Sequence, residues 1–180
     1  MTRDYAKIYD LESYLFSEVG PRFARTGELR PADFYMIVIW KANRAKTKVR
    51  DRLNRKAGGF SGSVTKIALA LHVATSSMER LKIMMHDWCF ALPMATAILT
   101  VLYPDDFSVY DVRVCGQLKG EFEKLAYRQF SSRLWNDYQT FLRAVDAAVS
   151  DGRSLRDKDR FLWGRSFYQA VERDLQVGVG

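Results

Sequence analysis

A chain of 180 residues with 28 Lys and Arg against 21 Asp and Glu carries a formal charge of +7, and its 48% apolar content is ample for a buried core in one helical domain, with room for two small lobes. Eleven Gly, four Pro and the lack of any biased tract exclude collagen-like and disordered classes. Two cysteines, Cys89 and Cys115, are too few for a disulfide framework, a four-thiolate zinc site or a cysteine-bound iron–sulfur cluster, so both are expected to be buried thiols in a reducing compartment.

The first residues, Met1-Thr2-Arg3-Asp4-Tyr5, are charged where a secretory signal needs an apolar run, and no apolar stretch approaches the ~18 residues of a membrane span. The expected location is cytoplasmic, nucleoid-associated or nuclear, with no membrane partner. From Pro31 onward, apolar residues recur at Phe34, Val38, Ala42, Ala45, Val49 and Leu53, which predicts one long helix ending near Gly58-Gly59. Gly58 to Gly62 lacks the lysine of a phosphate-binding loop and reads as a flexible connection. Val64 to Val73 and Ser77 to Met85 follow as helices, with Ser76 or Ser77 as a cap. Pro93 to Tyr103 is an apolar helix stopped by Pro104-Asp105-Asp106. Phe107 to Tyr110 reads as extended, and Val112, Cys115 and Leu118 return to helical spacing. Ser131 to Val149 and Leu155 to Leu175 close the chain, separated by Ser150-Asp151-Gly152. The predicted class is all-α, a multi-helix domain with eight or so helices and no internal repeat.

Charge is concentrated in one place. Between Lys41 and Lys56 stand eight basic residues and one acid, Asp51, a surplus equal to the net charge of the whole chain. With a pI near 9.5, this predicts contact with an acidic partner, and phosphate contact with nucleic acid is the leading mechanism. A solvated outer face of a core helix, or a helix meeting an acidic protein, are the alternatives. His72 and His86 form no close-spaced metal pair and read as structural, and no cofactor or metal is expected. Without a nucleophile elbow or a dinucleotide fingerprint, any chemistry falls to carboxylates. Asp111, entering a helix two residues before Arg113, reads on its own as an N-cap.

The stretch Cys89 to Arg113 resembles the helix-hairpin-helix DNA glycosylases, the superfamily that includes endonuclease III. Their signature is a hairpin of the form Leu-Pro-Gly-Val-Gly, an apolar helix, and an aspartate opening the next helix. Laid on this chain without a gap, Cys89-Phe90-Ala91 takes the place of Gly-Val-Gly, Met94-Ala95 falls on a Thr-Ala pair, and Asp111 falls on the catalytic aspartate. Phe34 to Arg44 is similar to the family's early helix, with Asn43 near a usual polar position, although the helix read here continues past it. Trp135, Tyr138 and Leu155 to Trp163 look like its closing helices. The resemblance implies a helix-hairpin-helix arrangement and DNA with a damaged or modified base as substrate. It implies Asp111 as the catalytic carboxylate of a monofunctional N-glycosyl hydrolase. It implies DNA contacts from Lys41, Asn43, Arg44, Lys48, Arg52, Arg113 and the hairpin residues Phe90, Ala91 and Leu92, and a base pocket from Tyr35, Trp40 and Trp163. Two departures qualify the carry-over. Both hairpin glycines, which would let backbone amides approach a phosphate, are replaced, and Pro93 stands where bifunctional members place an attacking lysine, so no lyase step is expected. The alternative function is a non-catalytic DNA-binding or protein-interaction subunit of the same fold.

Overall fold

The computed structural model describes residues 5–177, and the charged stretch at residues 1–4 lies outside them. Every regular element among the described residues is helical: α1 (Ala6–Tyr9), α2 (Leu11–Tyr14), α3 (Gly20–Thr26), α4 (Pro31–Ala42), α5 (Lys46–Asn54), α6 (Gly59–Val73), α7 (Ser77–Lys82), α8 (Leu92–Leu102), α9 (Val112–Cys115), α10 (Ser132–Ala148) and α11 (Leu155–Val177). The all-α class read from the periodicity is therefore observed. No helix among these residues is long and apolar enough to cross a membrane.

The most apolar segment of the chain lies at the centre. In α8 every residue from Ala95 to Leu102 is buried. Its two threonines bury their hydroxyls by donating back along the helix, Thr96 to Leu92 O at 2.8 Å and Thr100 to Thr96 O at 2.7 Å. Around it α3, α4 and α7 bring fully buried Phe23, Phe34, Ile37 and Leu81 into one core. Caps set the helix starts as expected from the side chains: Ser76 accepts from Glu79 N at 3.2 Å, and Ser131 accepts from Leu134 N at 3.1 Å.

Several readings need correction. The long basic helix is two helices: Ala42 leaves helical geometry (φ −158°, ψ 82°), a 3₁₀ turn spans Asn43–Ala45, and α5 restarts at Lys46. The halves differ in their main partner, α8 for α4 and α6 for α5, while α4 also touches α6. The glycine-rich connection is shorter than read, because α6 starts at Gly59, after left-handed Gly58 (φ +92°) and Gly59 (φ +63°) turn the chain. Cys89 is exposed rather than buried, whereas Cys115 is buried. Before Pro31, where no element was read, α1 to α3 and a π-helical turn (Leu15–Val19) bury Leu15, Val19 and Phe23. Their spacing of four is helical, but Gly20-Pro21 interrupts the signal.

Residues Phe107 to Tyr110 are buried and belong to no helix or strand, so their backbone groups need partners within the protein. Tyr138 supplies two from one hydroxyl, accepting from Ser108 N at 3.1 Å and donating to Ser108 O at 2.6 Å. Thr96 accepts from Tyr110 N at 3.0 Å. This pinning fixes where the following residue, Asp111, emerges. Replacing Tyr138 by Phe should lower the unfolding free energy by about 1–3 kcal/mol in urea denaturation, because Ser108 N–H and C=O are then buried without partners.

Candidate functional site

Asp111 opens α9 as its N-cap, with Oδ1 accepting from Arg113 N at 2.9 Å. Oδ2 accepts from Lys41 Nζ at 2.7 Å, and the same ammonium lies 3.4 Å from Tyr110 O. Lys41 sits in the last turn of α4, immediately before the break, so the end of that helix delivers the amine to the carboxylate. A capping aspartate is often sealed by its helix. Here 23% of the side chain remains exposed, and it lines a cleft of about 390 Å³ together with Trp40, Lys41, Arg156, Asp159 and Trp163. That volume falls within the range of about 300–1,000 Å³ usual for small-molecule sites.

The far wall of the cleft comes from the start of α11. Arg156, Asp159, Arg160 and Trp163 are spaced i, i+3, i+4 and i+7, which puts them on one helix face. Arg156 is a fork: one Nη pairs with Asp159, and the other reaches Glu12 Oε1 at 2.8 Å. Its guanidinium also lies 5.0 Å from the Phe16 ring and 5.2 Å from the Trp40 ring. Glu12, from α2, further accepts from Trp40 Nε1 at 3.3 Å and pairs with Arg160 at 3.1 Å, tying the N-terminal helices to the cleft. Asp159 is buried, and that desolvation pushes its carboxyl up to about 6 against the pull of Arg156 and Lys41, with the negative charge of Asp111 adding to the rise. Asp159, Glu12, Arg156 and Arg160 were not singled out from sequence. The i, i+3, i+4, i+7 spacing was the available signal, but Arg156 to Arg160 alternates charges so densely that it does not show which acid turns inward.

The turn at Cys89 to Ala91, where the resemblance places a hairpin, forms a second locality. Cys89 has φ +54°, the one left-handed non-glycine among the described residues, and it stands where the resemblance places the first hairpin glycine. Phe90 N–H is committed to Met84 O at 2.9 Å and the Phe90 ring is buried. Ala91 caps α8, its carbonyl accepting from Met94 N at 3.0 Å and Ala95 N at 2.9 Å, and Leu92 is buried as the first residue of the helix. Arg52 bonds to the Cys89 carbonyl and stacks over the Phe90 ring at 4.4 Å, clamping the turn, and its burial lowers its pKa. Lys56, two residues beyond α5, lies 5.1 Å from the Trp88 ring, so the basic segment runs beside this turn.

The remaining expected residues divide between surface and separate sites. Arg44 and Lys48 are exposed and free of ion partners among the described residues, and Asn43 accepts from Lys46 Nζ at 2.7 Å. Arg113 reaches over Trp163 and Phe167, at 5.6 and 5.8 Å from their ring centres. Tyr35 is not in the cleft with Trp40 and Trp163; it packs edge-on against Phe60 at 5.8 Å in a separate depression with Arg50 and Asn54. Both are on α4, but Trp40 lies five residues beyond Tyr35, which turns it to a different side of the helix. His72 packs edge-on to Phe23, and His86 pairs with Asp87 at 2.8 Å. Among the described residues no group of three or more His, Cys, Asp or Glu side chains is arranged to hold a metal ion.

No protein-family model matches this chain, and no curated protein or solved structure matches it. The functional reading rests on the chemistry of the cleft itself.

The raised Asp159 carboxyl makes stability depend on pH. Between its ordinary value of 3.8 and about 6, the folded chain keeps a proton that the unfolded chain has lost. The stability this group contributes is therefore present at low pH and is lost as pH rises through that window. The unfolding free energy of the wild type, measured against Asp159→Asn by urea denaturation, should fall between about pH 4 and about pH 7. A constant difference across that range would contradict the assignment.

Proposed function

We propose that the protein is a DNA-binding N-glycosyl hydrolase of helix-hairpin-helix glycosylase type, acting on a damaged or modified base with Asp111 as its carboxylate. The observation that carries this reading is the position of Asp111, a partly exposed carboxylate on the wall of a cleft that also takes Trp40 and Trp163. Support comes from the concentration of cations on α5 and just after it, where Arg52 bonds to the carbonyl of left-handed Cys89, a positive surface suited to a polyanion.

In this reading a nucleotide swings out of the stack, and its base lies against indole faces in the cleft. As the bond from base to deoxyribose breaks, its electron pair leaves with the base and positive charge develops on the sugar. Asp111 opposes that charge and accepts a proton from the water that attacks the sugar carbon, while the departing base takes up a proton. Lys41 and the Arg113 amide fix the two carboxylate oxygens, so the group needs no reorientation as charge develops. Pro93 lies in the first turn of α8 and has no amine to offer a lyase step.

Asp111→Asn should lower base release from lesion-containing duplexes by roughly 10²–10⁴-fold, the span of a general base, while duplex affinity persists. Borohydride should trap no covalent adduct between the protein and the DNA. Unchanged release from every lesion substrate would remove Asp111 from the chemistry. A second reading, binding without catalysis, is favoured by the engagement of both Asp111 oxygens and by the substituted hairpin glycines. It predicts salt-sensitive duplex binding with no base release, and a log-affinity slope near zero against log salt would count against both.

A further inference from the structure

Beyond the cleft, the face of α11 that carries Arg156, Arg160 and Trp163 continues to Phe167, four residues on. Trp163 and Phe167 are parallel to within 7° with ring centres 5.6 Å apart, and they remain 41% and 47% exposed. The Arg113 guanidinium covers both rings from α9. Nothing in the core requires this pair, since neither residue is buried. Gly164, beside them, leaves open space: a Cβ there would meet no atom within 4 Å. A neighbouring ring follows the same pattern, with Phe161 exposed and Arg153 and Arg165 at 5.0 and 5.9 Å.

We propose that Trp163, Phe167 and Arg113 form a stacking platform for an unpaired nucleobase next to the one held in the cleft, so that the protein selects DNA with at least two adjacent unpaired nucleotides. The inference rests on the nucleic-acid reading above and adds the strand state of its ligand. Its logic is one of available surfaces. In duplex DNA the faces of the bases are already stacked on their neighbours, so an exposed aromatic face gains contact only from bases that are unpaired. Trp163 borders the cleft and Phe167 does not, so the pair leads from the site of one extruded base to a place for the next. Arginine beside each ring supplies the positive charge that a phosphodiester linkage complements, which a purely apolar protein partner would leave unmatched.

The test is fluorescence anisotropy at fixed salt with the full chain, using a labelled oligothymidine and a hairpin duplex of matched length. Oligothymidine should bind the wild type more tightly than the duplex. Phe167→Ala should weaken oligothymidine binding by roughly five- to a hundredfold, the equivalent of one stacked base, and alter duplex binding by less than about twofold. Independently of any variant, an oligonucleotide carrying 5-bromouracil should photocrosslink to the peptide containing Trp163 and Phe167. Unchanged oligothymidine affinity in Phe167→Ala, or crosslinking confined to other peptides, would overturn the platform. So would self-association of the free protein that Phe167→Ala abolishes, which would give the face to a second copy of the chain. If lesion duplexes still lose their base through Asp111 while Phe167→Ala is silent, only the platform falls. If oligothymidine binds through these rings and no base is released, only the catalytic reading falls.

Discussion

A single phenolic hydroxyl governs where the reactive part of this fold appears. Tyr138, fully buried in α10, donates to and accepts from the same residue, Ser108, and so completes the backbone of a segment that has neither helix nor sheet to satisfy it. Its own pKa is raised by the burial that makes it useful, so the hydroxyl keeps its proton and both of its roles. With Thr96 holding Tyr110 from the other side, four buried residues outside any helix are tied by hydrogen bonds to α8 and α10. Asp111 comes directly after that anchored segment: its position follows from the core, while its carboxylate faces the cleft.

The cleft then balances charge at close range. Three cationic side chains, Lys41, Arg156 and Arg160, face three acids, Asp111, Asp159 and Glu12, and almost every contact joins elements far apart in the chain. Arg156 is central because its planar fork holds two carboxylates at once while its face rests on Phe16 and Trp40. Removing Lys41 or Arg156 would leave a partly or fully buried carboxylate without its paired cation, which is costly in low-dielectric surroundings. The arrangement therefore orders the aromatic walls as much as it orders the acids.

What the sequence made legible was mostly periodic. Helical class, the apolar α8, its stop before Pro104, the caps at Ser76 and Ser131 and the helix-free stretch before Asp111 all follow from spacing and local chemistry. Asp111, which the resemblance implies as the carboxylate, Trp40 and Trp163 from its implied base pocket, and Lys41 from its implied DNA contacts all line one cleft. Breaks in regular structure were not legible. The apolar spacing runs unbroken through Ala42 to Ala45, so only the fold, in which the two halves take different main partners, reveals the interruption. Asp159 was hidden for a different reason: in a run where acids and bases alternate, burial is decided by which face of α11 meets Glu12 and Lys41, a fact of tertiary structure. The resemblance implies one pocket for Tyr35 and Trp40, but the helix turns them to different neighbours, Phe60 for Tyr35 and Phe16 with Glu12 for Trp40.

The interruption at Ala42 also divides the positive charge of the chain. Lys41 belongs to the cleft, whereas Arg52 and Lys56 lie beside the turn at Cys89, with Arg44 and Lys48 displayed on the surface between them in sequence. An unbroken rod would present its cations as a rail along which a polyanion could slide without preference. Because Asp111 neutralises Lys41, the break at Ala42 separates a charge-balanced cleft from the surplus cations that follow it in the chain, and the long-range positive field of the protein arises from those rather than from the cleft.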